Sequence, residues 1–358
     1  MDPIDDQRSE VGRGLFQSHP FADHLCGDRG GSGIVGSQAA HTLRRLQPQL
    51  PIAIGGRDLA KAEAVAAKVG GAHGVAVDLK RADLGLAENA EYSAVAIFLK
   101  DETLNSMRFA QHRGLPYISV SSGSFELGPE VSRFVHRPEA APILMASHWL
   151  AGAAIFPVLH FAKSYRALET IHIGVLLDEE DMGGPAAYAD YERITGVSPA
   201  ALTLRNGHFT WVNGIKAEGR FTSVDGTPMV AQAYSPFDIM GLAAATDANS
   251  IRLDLALGES ASRRRGEPFS TEIVVELQGL GKDGEPHRSR HEIVHPAGQA
   301  PLTALGVALG VERLLGLTGG GPVAPGLYLP EVIIEPDYFV ERLLEFGARI
   351  ESPGELSS

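Results

Sequence analysis

An α/β fold, with a doubly wound parallel sheet and an inserted domain of mixed or antiparallel sheet, follows from three features of the 358-residue sequence. A glycine-rich turn at 30–36 (GGSGIVG) opens a helical pattern, and short apolar runs then alternate with helical segments through the first half. In the second half the apolar residues alternate with polar ones before a helical pattern returns near the end. Continuous apolar runs suit strands buried on both faces of a parallel sheet. Alternation suits a sheet with one solvated face.

The first expected strand lies at 22–29 (ADHLCGDR), just before the glycine-rich turn. Its ionisable side chains fit poorly in a central parallel strand, so it is either short and distorted or does not pack as the pattern demands. A helix is expected from the turn through Leu46, then a strand at 52–54 ending in Gly55-Gly56-Arg57-Asp58. A helix at 59–69 stops at Gly70-Gly71, and a strand-like run follows at 74–79. The run 94–99 (AVAIFL) reads as a buried parallel strand, 103–114 as a helix, and 117–120 and 143–146 as further strands. Alternating runs at 169–177, 221–224, 251–257 and 269–277 form the inserted sheet, separated by turn signals such as Asp225-Gly226 and Asp283-Gly284. Helices return at 301–316 and 338–347 around a Gly/Pro-rich loop. The expected domains are a nucleotide-type domain from 1–165 and 297–358, and a central domain from 166–296.

Composition narrows the function classes. Lys plus Arg number 31 against 44 Asp plus Glu, a net charge of −13, which argues against a nucleic-acid binder. The single cysteine, Cys26, excludes an intrachain disulfide framework and a cysteine-cluster metal site. No apolar run reaches 18 residues; the longest candidate, 151–162, is interrupted by Pro157 and His160. The acidic N-terminal residues lack the apolar core of a signal peptide, so a cytoplasmic, multi-domain protein with no membrane partner is expected.

Gly31-x-Gly33-x-x-Gly36 matches the dinucleotide fingerprint of Rossmann-type domains. Its glycines permit a tight turn, close approach of a pyrophosphate and close helix–strand packing, with the phosphates at the helix N-terminus. Gly31, Ser32, Gly33, Ile34, Val35 and Gly36 are therefore the expected phosphate loop. About twenty residues further on, where an acidic residue would read an NAD ribose, stands Arg57, whose guanidinium suits the 2′-phosphate of NADP. The expected cofactor is NADP, with NAD possible in its place. Asp78, Leu99 and Ser121, at the ends of later strands, complete the expected cofactor-binding set.

Other motifs fail on context. His291-Glu292-Ile293-Val294-His295 is a literal H-E-x-x-H, but Pro296 and the β-branched residues favour a strand, where the two histidines lose the helical geometry zinc needs. No tyrosine stands four residues before a lysine, and neither a G-x-S-x-G elbow nor a Walker A sequence occurs. The run Arg263-Arg264-Arg265 reads as a solvated loop rather than a phosphate site.

The stretches 30–40 (GGSGIVGSQAA), 55–64 (GGRDLAKAEA) and 77–79 (VDL) resemble the NADP-binding half of the saccharopine dehydrogenase family. Residues 272–281 (EIVVELQGLG), the helix after Ala300 and the closing stretch 321–331 (GPVAPGLYLPE) are similar to its end. The resemblance implies a Rossmann domain built from both chain ends and a central domain that covers the cofactor and forms a homodimer. The implied activity is reversible NAD(P)-dependent oxidation of an amine to an imine on an amino-acid-like small molecule. Two turns depart from the family pattern, Leu99-Lys100-Asp101 and Ser147-His148-Trp149-Leu150-Ala151-Gly152. Both are expected at the carboxyl ends of strands, where open α/β sheets bind ligands. His148 is the expected proton donor there, with Lys100 and Asp101 beside it to hold substrate or water. The alternative is a non-catalytic NADP-binding or scaffold protein with a remodelled site.

Overall fold

The computed structural model describes residues 33–181 and 185–353. The expected first strand, 22–29, and the loop residues Gly31 and Ser32 lie outside the described residues. The chain opens with α1 (Ile34–Leu46), β1 (Ile52–Gly56), α2 (Leu59–Val69), β2 (Ala72–Ala76), β3 (Val95–Ile97), α3 (Asn105–Arg113), β4 (Tyr117–Ser119), α4 (Leu127–Val135), β5 (Pro142–Met145) and α5 (Ile155–Ala162). There follow β6 (Tyr165–Asp178), α6 (Pro185–Val197), β7 (Ala201–Arg205), β8 (His208–Val212), β9 (Glu218–Thr222), β10 (Pro228–Ala233), α7 (Asp238–Ala245) and β11 (Ser250–Gly258). The last part holds α8 (Ala261–Arg264), β12 (Thr271–Gly281), β13 (Pro286–His295), α9 (Gln299–Leu315), β14 (Gly326–Tyr328), α10 (Pro330–Ile333), α11 (Pro336–Glu345) and β15 (Arg349–Glu351).

This is the Rossmann-type α/β fold with an inserted mixed sheet. The strands β14-β5-β4-β3 form one parallel sheet and β1-β2 a parallel pair. Between β1 and β3 runs a largely apolar cavity of about 1120 Å³, walled by Ile52 and Ile54 on one side and by Val95 and Ile97 on the other. The helices α1 and α9 pack together along this layer, so the C-terminal part of the chain returns to the parallel sheet, where β14 pairs with β5. The sequence reading missed β14 because three residues between prolines carry no period.

The larger, nine-stranded sheet runs β15-β13-β12-β6-β11-β10-β9, with the β7–β8 hairpin branching from β11. The 14-residue β6 lies between antiparallel β12 and parallel β11. Its alternation sends Ile171, Ile173 and Val175 into the main core, where they lose all solvent contact. At 25 cal/mol per Å², each such side chain contributes roughly 1.5–3 kcal/mol. Residue 221, expected in a strand at 221–224, lies instead in a strand of 218–222 that turns at Asp225-Gly226. The arginine run expected in a loop forms much of α8, and each arginine is ion-paired: Arg263 with Asp178, Glu179 and Glu180, Arg264 with Asp225, and Arg265 with Glu267.

The opposite face of the large sheet carries charge. His172 places Nε2 2.9 Å from Asp254 and Nδ1 3.3 Å from Glu276, while Arg252 also pairs with Asp254 and Arg290 with Glu276. Burial works against the imidazolium, but the two carboxylates outweigh it and raise the group to about 9. A raised histidine stabilises the fold fully below its unfolded value near 6.5 and loses that contribution as pH climbs through its folded value. The melting temperature should therefore fall by several degrees between pH 6.5 and 9, on the order of 1–3 kcal/mol. Calorimetry on His172→Gln should show a flatter slope; an unchanged slope would assign the pH dependence elsewhere.

Candidate active site

The parallel strands point their carboxyl ends at one edge, and the candidate residues reach that edge through short turns. Gly33 caps α1 with extended backbone, no acidic side chain occupies the first turn, and Gly33, Ile34, Val35 and Gly36 line a second cavity of about 740 Å³. A helix N-terminus without a carboxylate presents free N–H groups and the positive end of the helix dipole. Gly36 and Phe98 line both cavities. Arg57, Asp78 and Leu99 line the first cavity, and Ser121 and His148 line the second. Arg57 makes no ion pair among the described residues. Its neighbour Asp58 accepts a hydrogen bond from the Lys61 amide and caps α2.

The second cavity is closed from the other side by the inserted sheet. The β6 end supplies Leu177 and Asp178, α6 supplies Asp190 and Tyr191, and the loop after β10 supplies Tyr234. Ser121 is tied across this boundary. Its hydroxyl donates to Asp190, and its carbonyl accepts from Arg193 at 2.8 Å.

His148 follows β5 and is wholly enclosed, with 4% of the residue exposed. Its Nε2 lies 3.3 Å from Glu331, at the start of α10, in a charge contact rather than a well-aligned hydrogen bond. Asp238, at the start of α7, accepts from the Trp149 amide and adds a second buried carboxylate. Burial pushes the imidazolium down, but Glu331 and Asp238 outweigh it and hold His148 above its usual value. Burial raises Asp238 as well, against the pull of His148. Gly241 makes room for this group: a Cβ there would stand 2.4 Å from Glu331 Oε1 and 2.9 Å from His148 Nε2. His148 Nδ1 and Trp149 Nε1 are buried with no hydrogen-bond partner.

The turn that carries His148 is strained. Leu150 and Ala151 take left-handed φ of 46° and 55°, followed by Gly152 at 115°. Non-glycine residues in that region cost about 1–3 kcal/mol each and persist only where the surroundings dictate them. Here α9 dictates them, because Gly306 lets Ala151 O approach to within 2.1 Å of where a Cβ would be.

The two other expected catalytic residues are engaged by neighbours of their own. Lys100 Nζ is 3.0 Å from Ser122 Oγ and 3.2 Å from Glu130 Oε1, with Glu126 close by. Asp101 accepts from the amide and hydroxyl of both Thr103 and Ser106, holding the start of α3. Neither residue lines either cavity. The H-E-x-x-H sequence lies in β13, where His291 bonds Ser352 and Ser289 and His295 meets the Phe346 carbonyl. Sequence reasoning missed Asp238, Glu331 and the α6 wall. Only Glu331 lay in a stretch singled out beforehand, and nothing local marks it as a partner of a histidine 183 residues earlier.

No family model matches the chain, and no curated protein matches it in sequence. Solved structures do match. Apo saccharopine dehydrogenase (L-Glu forming) from Saccharomyces cerevisiae aligns over 90% of this chain and 98% of its own, with TM-score 0.62 and 13% identity. Dipicolinate-bound dihydrodipicolinate reductase from Paenisporosarcina sp. TG-14 aligns over 84% and 95% at TM-score 0.40 and 13% identity. A putative myo-inositol dehydrogenase from Sinorhizobium meliloti 1021 aligns over 90% and 98% at TM-score 0.44 and 11% identity. The chain shares the fold of the yeast protein. No helix among the described residues is long and apolar enough to cross a membrane.

Proposed function

We propose that the protein is an NAD(P)-dependent oxidoreductase that interconverts an amine and an imine, with NADP as its cofactor. The observation that carries this reading is the carboxylate-free N-terminus of α1, whose Gly33 to Gly36 line the cavity that also takes in Ser121 and His148, with Arg57 lining the neighbouring cavity. These residues fit a dinucleotide. Gly33 to Gly36 would hold the pyrophosphate, Arg57 and Asp78 the adenosine ribose, and Ser121 the nicotinamide end. When bound, the cofactor supplies hydride exchange with the substrate carbon. The protein's own part is proton handling and enclosure. His148, whose pKa is raised by Glu331 and Asp238 against the effect of burial, would hold the proton that the nitrogen gains on reduction, and the inserted sheet walls that end of the cavity.

A charge-assisted guanidinium–phosphate bond contributes roughly 1.5–3 kcal/mol, or about ten- to hundredfold in affinity. Because Asp58 is occupied as a helix cap, it does not need to turn toward the ribose. Fluorescence titration should show NADPH bound at least tenfold more tightly than NADH, and Arg57→Ala should close the gap. Equal affinities in the native protein would refute the role of Arg57.

The non-catalytic alternative draws on Lys100 and Asp101, whose polar atoms are committed to neighbours. It predicts NADPH binding without turnover on any amine or imine, which an activity panel distinguishes.

A further inference from the structure

We propose that α6 is a movable wall of the second cavity, held in place by Arg193 and Asp190 as a side-chain latch. The helix contributes Tyr188, Asp190, Tyr191, Ile194 and Thr195 to the lining. Among the described residues its backbone makes no hydrogen bond to another element, and its only polar links outward are those of Asp190 and Arg193. Arg193 Nη1 pairs with Glu126, just before α4, and Nη2 donates to Ser121 O at 2.8 Å. Asp190 accepts from Ser121 Oγ and lies 3.1 Å from Arg193 Nη2, so the two latch residues brace each other. Tyr191 adds a ring contact, its centroid 6.5 Å from that of Tyr234. The strand before the helix is held differently, because β6 is bonded along both edges to β11 and β12. A helix attached by side chains can leave its seat without breaking a sheet ladder, so its opening lies at the low end of the free-energy range of local unfolding.

The receiving side is fixed independently of α6. Lys100 Nζ stands 3.8 Å from Glu126 and 3.2 Å from Glu130, and Glu126 also accepts from the Gly123 amide at 2.7 Å. Glu126 therefore keeps its place when Arg193 moves away. The latch itself remains in contact with solvent: the side chains of Arg193, Glu126 and Asp190 are 20%, 18% and 23% exposed. Breaking a fully buried pair leaves a bare charge behind, whereas a pair that water reaches contributes little net free energy and can open. The latch thus sets the position of α6 without locking it. Ser121 takes a bond from each latch residue and lines the same cavity, so the wall and a residue at the strand ends are released together.

Hydrogen exchange of the full chain, followed by mass spectrometry without added ligand, tests the latch. In the native protein the amides at 191–197 should exchange faster than those of β6 and α9. Arg193→Gln keeps the length of the side chain but removes its charge, and should speed exchange at 191–197 by about tenfold or more while β6 and α9 stay within about twofold of native. Arg193→Lys, which keeps the charge without the planar fork, should fall between the two. Glu192→Gln changes a cavity-lining neighbour outside the latch and should exchange like the native protein. Unchanged exchange at 191–197 in Arg193→Gln would overturn the proposal. So would a rise shared equally by β6 and α9, which would make Arg193 a brace for the whole fold, or an equal rise in Glu192→Gln. The readout needs neither cofactor nor substrate, so its result stands apart from the oxidoreductase reading, which the NADPH titration tests.

Discussion

Replacing His148 with alanine should lower turnover in the reductive direction by about 10²–10⁴-fold, the usual contribution of a positioned general acid, while NADPH affinity stays within about twofold. The expectation follows from placement. The residue stands just past the carboxyl end of β5 and lines the cavity, and its buried ring has an unpartnered Nδ1. Its Nε2 side is fixed by Glu331, with Asp238 adjacent, so the imidazolium persists above the ordinary histidine value. Reduction should then lose activity as pH rises through that raised value, and oxidation, which needs the neutral ring, should gain it. Glu331→Gln removes the larger supporting contact and should move this limb toward lower pH with a smaller loss at neutral pH. Stopped-flow rates across pH check both. Turnover left intact in His148→Ala, or a limb unmoved in Glu331→Gln, would show that the proton comes from another group.

Replacing Gly306 with valine should destabilise the protein by about 3 kcal/mol or more and abolish activity with it, because overpacking and backbone strain act at one place. Even the first added carbon would meet Ala151 O at 2.1 Å and Ala151 Cβ at 2.8 Å, and a helix backbone gives way less easily than the end of a side chain. The turn at Leu150, Ala151 and Gly152 keeps its left-handed conformation only while α9 presses on it, and the same turn sets the direction of His148. Gly128→Ala provides the contrast. Nothing lies within 4 Å of its added carbon, it sits in α4, and helix propensity alone makes the change neutral or stabilising by up to about 1 kcal/mol. Thermal unfolding of the two variants should separate them by roughly five degrees or more. A Gly306→Val protein that melts like the native one would mean that α9 does not hold the turn.

The periods of the sequence were enough to place α1, α2, the parallel strands from Ile52 to Met145 and the long strands β6, β11 and β12, because burial on two faces or on one leaves a local signature. The glycine spacing likewise placed Gly33 to Gly36 at a helix start, and the chain position of Arg57 placed it at the end of β1. The short β14 and the β7–β8 hairpin were not read from the sequence, whereas the equally short β3 and β4 were, because those two lie inside the apolar runs 94–99 and 117–120. The site divides in the same way. That His148 follows a strand end could be read from a few neighbouring residues. That Lys100 is bound by Glu130, 30 residues away, and that Glu331 raises the pKa of His148 could not. Those outcomes depend on which elements pack together and how completely they exclude water. Such contacts join distant parts of the chain and so leave no trace in local spacing, and the charge state of a buried group follows from them and not from its own residue type. The sequence by itself determined the parallel framework and its ligand-binding edge; tertiary packing decided which side chains at that edge remain free to act.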